Sequence, residues 1–267
     1  MRLESELRYI DMPWGSMKLI VLKPKKLRHP VPGILWLHGG GYFEGSAEMV
    51  FVSRGHDAAK KFGAVMVSPE YRLSGDAPYP AAAEDCYAAL LWLNAHKDEL
   101  NVDRLMVGGE SAGGGLTAAL CMMARDRGDV SISYQMPIYP MLDCDDTDSS
   151  RDNNNPIFWS TKKNHQAWKL YLGGLWESDD IPPYASPAKQ TDYSNLPPCY
   201  TFVAKGEPFL CETLEYVENL RKAGVEAECD VFPARVHAFD AVFPFRKVSK
   251  DARRAFLEHF KRQLKTK

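Results

Sequence analysis

Five consecutive residues constrain this chain more than any other feature. Gly109-Glu110-Ser111-Ala112-Gly113 follows the short apolar run Leu105–Val107 and leads directly into a helical pattern over Ala112–Arg127. In the order strand, sharp turn, helix, a G-x-S-x-G segment sets its serine on a strained turn. The small flanking residues let strand and helix pack closely. Such a turn projects the serine oxygen from the carboxyl edge of a parallel sheet, where open α/β folds bind ligands. The helix amino terminus adds positive potential at the same point. A chance G-x-S-x-G in a glycine-rich loop is the alternative, and the flanking strand and helix speak against it.

The rest of the chain fits that frame. Leu7–Met12 and Met17–Leu22 flank Pro13-Trp14-Gly15, a hairpin signal. Ile34–Leu37, Ala64–Val67, Leu105–Val107, Gln135–Ile138, Tyr200–Val203 and Glu228–Phe232 read as short apolar strands. Between them lie helical patterns at Ala47–Phe62, Ala81–His96, Ala112–Arg127 and Glu212–Ala223, with a last one from about Ser249 to Leu264. The helix at Glu212 places Leu214, Val217 and Leu220 on one stripe and stops at Gly224. This alternation predicts an α/β fold: a mostly parallel eight-stranded sheet, antiparallel at its start, with helices on both faces. At 267 residues it suits one large domain.

One stretch interrupts the alternation. Residues 143–197 form a connection far longer than is usual in a compact domain. It starts polar (DCDDTDSSRDNNN), turns aromatic at Phe158, Trp159, Trp168, Tyr171 and Trp176, and holds a predicted helix over Thr161–Leu172 capped by Ser160. Long excursions of this kind are lids or binding elements.

Composition removes several classes. A balance of 33 Lys+Arg against 35 Asp+Glu gives a net charge of −2, which argues against a dedicated nucleic-acid binder. The six cysteines are scattered with no C-x-x-C pair, so neither a zinc ribbon nor a redox motif is indicated. The start MRLESELRYI is charged where a signal peptide needs an apolar core, and no apolar run approaches the length of a membrane span. The expectation is a soluble, cytoplasmic protein. Asp143, Asp145, Asp146 and Asp148 invite a calcium reading, but Thr147 and Asp148 break the EF-hand pattern, and a solvated acidic loop is expected. No metal site is predicted.

A second glycine run bears on the serine. His38-Gly39-Gly40-Gly41 follows the strand Ile34–Leu37, and consecutive glycines leave backbone N–H groups free to face a substrate. Such donors stabilise the oxyanion formed when a serine attacks a carbonyl. The serine also needs a general base, itself oriented by an acid. In chain order serine, acid, histidine, the candidates after Ser111 are His165, His237 and His259. His165 falls in the predicted helix of the long connection, and His259 on a terminal helix where a solvated position is the default. His237, just after the last strand, is the favoured base. Glu207 is the first carboxylate after Tyr200–Val203 and the favoured acid; Glu212 is its nearest competitor but opens the next helix, where glutamate is a common stabiliser. His38 is expected to brace its loop.

These motifs carry a resemblance. H-G-G-G, the elbow G-E-S-A-G-G and the histidine in H-A-F resemble the hormone-sensitive-lipase-like carboxylesterases, the α/β-hydrolase fold-3 group. Tyr71-Arg72-Leu73, Tyr79-Pro80-Ala81-Ala82, Glu84-Asp85, Ser186-Pro187 and Leu196-Pro197-Pro198 extend the likeness over roughly residues 31–240. The resemblance implies a single α/β-hydrolase domain over 1–267 with a short cap at about 143–197, ester hydrolysis through a serine acyl-enzyme, and no cofactor. By similarity, Gly40, Gly41 and Ala112 form the oxyanion hole. Two departures stand out. Glu207-Pro208-Phe209 replaces the family's Asp-Pro-Leu, and H-G-G-G begins so early that the usual amino-terminal roof is expected to be largely missing. The cap would then come mainly from the 143–197 excursion, with room for a homo-oligomer to complete it.

The expected substrate is a small, short-acyl ester, with Tyr42, Phe158 and Trp159 as candidate pocket walls. Acetylated sugars and plant-derived esters are both compatible with it. Two rivals share the scaffold: a peptidase or amidase using the same triad, and a non-catalytic ligand receptor, against which the presence of both Ser111 and His237 argues.

Overall fold

A computed structural model of the chain describes residues 1–153 and 158–265. Asn154 and Asn155 of the polar run lie outside the described residues. One eight-stranded sheet organises the molecule. Its strands are β1 (Leu3–Met12), β2 (Gly15–Pro24), β3 (Val31–Leu37), β4 (Val65–Pro69), β5 (Val102–Glu110), β6 (Tyr134–Ile138), β7 (Cys199–Ala204) and β8 (Ala227–Phe232), in the order β1-β2-β4-β3-β5-β6-β7-β8. β1 and β2 form an antiparallel hairpin, β2 pairs antiparallel with β4, and the remaining pairs are parallel. Every residue of β3, β4, β6 and β7 is buried. Burial on both faces is why these strands read as continuous apolar runs rather than as alternation.

Helices cover both faces. α1 (Arg54–Phe62) and α8 (Lys247–Gln263) pack on one side, where Ala58, Ala59, Phe256 and Phe260 meet Trp36 and Phe202. α2 (Ala81–Ala95), the short α3 (Lys97–Leu100), α4 (Ala112–Arg127) and α6 (Leu210–Lys222) lie on the other. A four-residue turn, α7 (Phe239–Val242), links the histidine loop to α8.

Three local expectations differ. The helix predicted over Ala47–Phe62 is a 3₁₀ segment, Ala47–Val52, followed by α1. Ser53 divides them: its extended backbone breaks the ladder, and its hydroxyl accepts from the His56 N–H at 3.0 Å, capping α1. On α6 the buried stripe is Thr213, Tyr216, Val217 and Leu220, and Leu214 faces outward. His259 is not fully solvated; its ring stacks on Tyr200 at 3.7 Å.

The 143–197 excursion carries α5 (Thr161–Leu172), capped by Ser160, whose hydroxyl accepts from Lys163 N–H. Its aromatic residues fix it to the body. Tyr171 stacks on Tyr42 at 3.8 Å with planes 11° apart, and Trp168 packs on the same ring. The Tyr79 N–H donates to the Tyr171 carbonyl at 2.7 Å. Ser186 ties the two ends together, accepting from Cys144 N–H and donating to the Leu142 carbonyl. In the acidic stretch, Asp145 pairs with Lys189 and Asp146 with His165.

Candidate active site

Ser111 sits between β5 and α4 with φ 57° and ψ −117°, a conformation that L-residues rarely adopt. The surroundings hold it there. Its N–H donates to the Ile138 carbonyl at the end of β6, and its carbonyl accepts from Met141 and Gly115. Gly113 explains the sequence pattern: a Cβ at this position would lie 2.5 Å from the His38 carbonyl oxygen, so only glycine lets α4 approach the loop after β3.

The structure brings Ser111, His237 and Glu207 together at the carboxyl ends of β5, β7 and β8. The Ser111 Oγ lies 2.9 Å from His237 Nε2, although 126 residues separate the two in the chain. His237 Nδ1 is hydrogen-bonded to Glu207 Oε2. The imidazole is framed by rings from Phe209 (4.8 Å), Tyr139 (5.1 Å) and Trp159 (6.2 Å). Glu207 is buried, and its other oxygen accepts from the Ala204 N–H at 2.6 Å. Burial pushes its carboxyl above the ordinary glutamate value, while the facing His237 pulls it back.

Glu212 is excluded from that position by its own contacts. Its carboxylate accepts from the backbone N–H groups of Leu142 (2.6 Å) and Asp143 (3.3 Å), holding the chain where it leaves the sheet. The polar run beyond has a second duty that its sequence does not advertise. Ser149 Oγ donates to the Pro208 carbonyl and accepts from Cys211 N–H, and Asn153 Nδ2 donates to the Gly206 carbonyl. The excursion therefore clamps the loop that carries Glu207. A serine and an asparagine in a polar loop give no sequence signal for this.

Gly40 adopts φ +118° and Gly41 φ +59°, and the Gly40 carbonyl accepts from Phe43 and Glu44 N–H groups. His38 braces this loop: its ring stacks on Tyr71 at 4.1 Å, and Nδ1 contacts the Gly39 carbonyl and the Tyr71 hydroxyl. Ala112 opens α4, so its N–H is among those a helix leaves without an intrahelical acceptor.

A cavity of about 220 Å³ opens over Ser111 and His237. Gly39 and Gly40 line it together with the apolar side chains of Met49, Val52, Tyr139 and Trp159 and the charged Glu44 and Lys163. Of the three expected pocket residues, Trp159 is in place. Tyr42 is not a wall: it is buried behind the glycine loop, and its hydroxyl donates to the Met141 carbonyl at 2.9 Å. Phe158 is not one either, because it turns outward and packs edge-on against Phe243. Met49, Val52 and Lys163 were not expected, since only the fold brings the 3₁₀ segment and α5 to the cavity. Among the described residues, no group of three or more His, Cys, Asp and Glu side chains is arranged to hold a metal. No helix among them is long and apolar enough to cross a membrane.

A serine hydroxyl bonded to an imidazole that a carboxylate orients is the arrangement in which the imidazole can take up the hydroxyl proton. The alpha/beta hydrolase fold family matches residues 34–241. Esterase LipI of Mycobacterium tuberculosis is 30% identical, over 88% of this chain and 75% of its own length. Carboxylesterase NlhH of the same organism is 33% identical, over 81% and 69%. Among solved structures, a bacterial heroin esterase superposes with a TM-score of 0.92 at 33% identity, covering 99% of this chain and 85% of that one. The chain belongs to the α/β-hydrolase fold-3 family, the hormone-sensitive-lipase-like carboxylesterases, enzymes that hydrolyse carboxylic esters.

Proposed function

We propose that this chain hydrolyses small, short-acyl carboxylic esters through an acyl-enzyme on Ser111, with His237 as general base and acid and Glu207 as the residue that orients it. The observation that carries this reading is the continuous hydrogen-bonded line Ser111–His237–Glu207, whose first two members line the cavity. As Ser111 Oγ attacks the ester carbonyl, His237 Nε2 takes its proton, and the carbonyl oxygen gains negative charge. The N–H groups of Gly40, Gly41 and Ala112 stabilise that charge. His237 then passes the proton to the leaving alcohol. Water attacks the acyl-enzyme by the same route, returning the proton to Ser111 and releasing the acid. Glu207 keeps the imidazole in the tautomer with Nδ1 protonated, so Nε2 is free to accept.

Substrate size follows from the cavity. Its 220 Å³ falls below the roughly 300–1,000 Å³ of sites that enclose drug-sized ligands, which favours acetyl to butyryl esters over long acyl chains. The test is a p-nitrophenyl ester series from two to twelve carbons, run on the wild type and Ser111→Ala. Turnover should be greatest at two to four carbons and vanish in the variant. A maximum at ten carbons or longer would refute the size assignment, and near-wild-type turnover by Ser111→Ala would refute the mechanism.

A further inference from the structure

Against the cavity, which Arg54 and Glu110 help to line, lies a cluster of charge that the mechanism above does not use. Arg54 opens α1 and is almost fully buried. Its backbone N–H donates to Glu110 Oε1 at 3.0 Å, and Glu110 Oε2 accepts from Trp36 Nε1 at 2.6 Å. Its guanidinium lies 2.9 Å from Asp57 and, through Nε, 3.2 Å from Asp240 Oδ2. Asp240 is buried in α7, and besides Arg54 the Tyr139 hydroxyl faces it. Glu110 immediately precedes Ser111. Asp240 comes three residues after His237, and the Tyr139 ring packs edge-on against the His237 imidazole.

One residue therefore grips the neighbours of both reacting side chains. We propose that Arg54 is a positioning residue: its main chain holds the segment carrying Ser111, its guanidinium holds the segment carrying His237, and together they set the separation of the two reacting atoms.

The physical case has two parts. A general base works only within hydrogen-bond reach of the proton it takes, and a misplacement of about 1 Å can cost about 10²-fold in rate. Ser111 and His237 come from segments far apart in the chain, so something must fix one against the other. A buried ion cluster is also a poor source of stability compared with apolar packing of equal volume, because desolvation offsets the attraction. What apolar side chains could not replace is the choice of partners, since opposite charges at these distances fix which segments meet. Arginine suits the task because its broad guanidinium spans both carboxylates at once, Nη1 toward Asp57 and Nε toward Asp240, which a single lysine ammonium does not reach.

This inference rests on the catalytic roles proposed for Ser111 and His237. The test uses Arg54→Lys, which keeps the charge and the main-chain bond to Glu110 but loses the fork, and Asp240→Asn, which cuts the same tie from the other end at nearly constant volume. Arg253→Gln is the control: it removes a cation from the outer side of Asp57 and leaves both grips intact. With p-nitrophenyl acetate, well below each variant's thermal midpoint, Arg54→Lys and Asp240→Asn should each lower kcat about 10-fold or more and leave KM within about twofold. Their double variant should be no worse than the poorer single one, because both act through one contact. Arg253→Gln should stay within about twofold of wild type in both constants.

A kcat within twofold of wild type in Asp240→Asn overturns the proposal, and that variant decides the matter if Arg54→Lys does not fold. Losses confined to KM, or an equal loss in Arg253→Gln, also overturn it. Failure of the underlying mechanism looks different: a fluorophosphonate would then leave Ser111 of the wild type unlabelled, or Ser111→Ala would keep its turnover.

Discussion

Replacing Gly40 by alanine tests the proposed oxyanion hole with one methyl group. At φ +118° an alanine is strained by about 1–3 kcal/mol. Its Cβ would also lie 2.6 Å from the Glu44 carbonyl carbon and closer still to the oxygen. Carbon atoms rest at about 3.5 Å or more, so the loop must open by about 1 Å. It cannot open at Gly40 alone, because the Gly40 carbonyl accepts from both Phe43 and Glu44 and the whole turn moves together. The N–H groups of Gly40 and Gly41 then leave the positions that face the developing oxyanion. Losing one such donor costs about 10²–10³ in kcat, which is about 3–4 kcal/mol on the barrier. The apolar walls Met49, Val52 and Trp159 stay, so KM should change less than about threefold. The assay is steady-state hydrolysis of p-nitrophenyl acetate, with organophosphate titration of Ser111 to count competent sites. Gly75→Ala, where an added Cβ meets nothing within 4 Å, is the control and should match wild type. A Gly40→Ala enzyme with full site titration and kcat within about threefold of wild type would show that these N–H groups do not stabilise the oxyanion.

Three further outcomes are expected. Glu207→Asp is one methylene too short to hold His237 and the Ala204 N–H at once, so kcat should fall about 10²-fold; an unchanged kcat would mean the carboxylate does not orient the imidazole. Tyr42→Phe leaves the buried Met141 carbonyl without its side-chain donor and should cost about 1–3 kcal/mol in chemical denaturation while KM stays unchanged; a KM shift would return Tyr42 to the pocket wall. Burial pushes the Glu110 carboxyl up to about 7 from an ordinary 4.5, so the folded chain keeps a proton that the unfolded chain has released. Stability from this group is complete below about pH 4.5 and is lost, by about 3 kcal/mol, as pH rises through 7. Guanidinium unfolding of Glu110→Gln between pH 5 and 8 should show a shallower decline than wild type, and identical slopes would sink the argument.

Local patterns in the sequence make the class and the candidate reacting groups legible. Elbow, strand and helix are contiguous in sequence, and the strain at Ser111 is written into the small residues beside it. The candidates Glu207 and His237 each follow a strand of the parallel part of the sheet, and parallel strands deliver their carboxyl ends to one edge. Boundaries were less legible where one side chain decided them, as at Ser53, which divides a predicted helix in two. Periodicity puts Leu214 on the stripe of Val217 and Leu220, yet it faces outward, because periodicity reports which residues share a face, not which of several faces meets the sheet.

The pocket has no signature in the sequence. Adjacency to the glycine loop suggested Tyr42, but its ring stacks beneath Tyr171 of the cap, while Met49 and Val52 reach the cavity from a turn that sequence reads as helix. The clamp of Ser149 and Asn153 on the Glu207 loop, and the bridge of Arg54 between Glu110 and Asp240, join residues dozens to nearly two hundred positions apart. Short-range chemistry of strand, turn and helix sets the scaffold and the identity of the candidate reacting side chains. Their separations, the cavity above them and the buried charge beside them arise only when distant segments are packed together, because those contacts have no period or spacing along the chain.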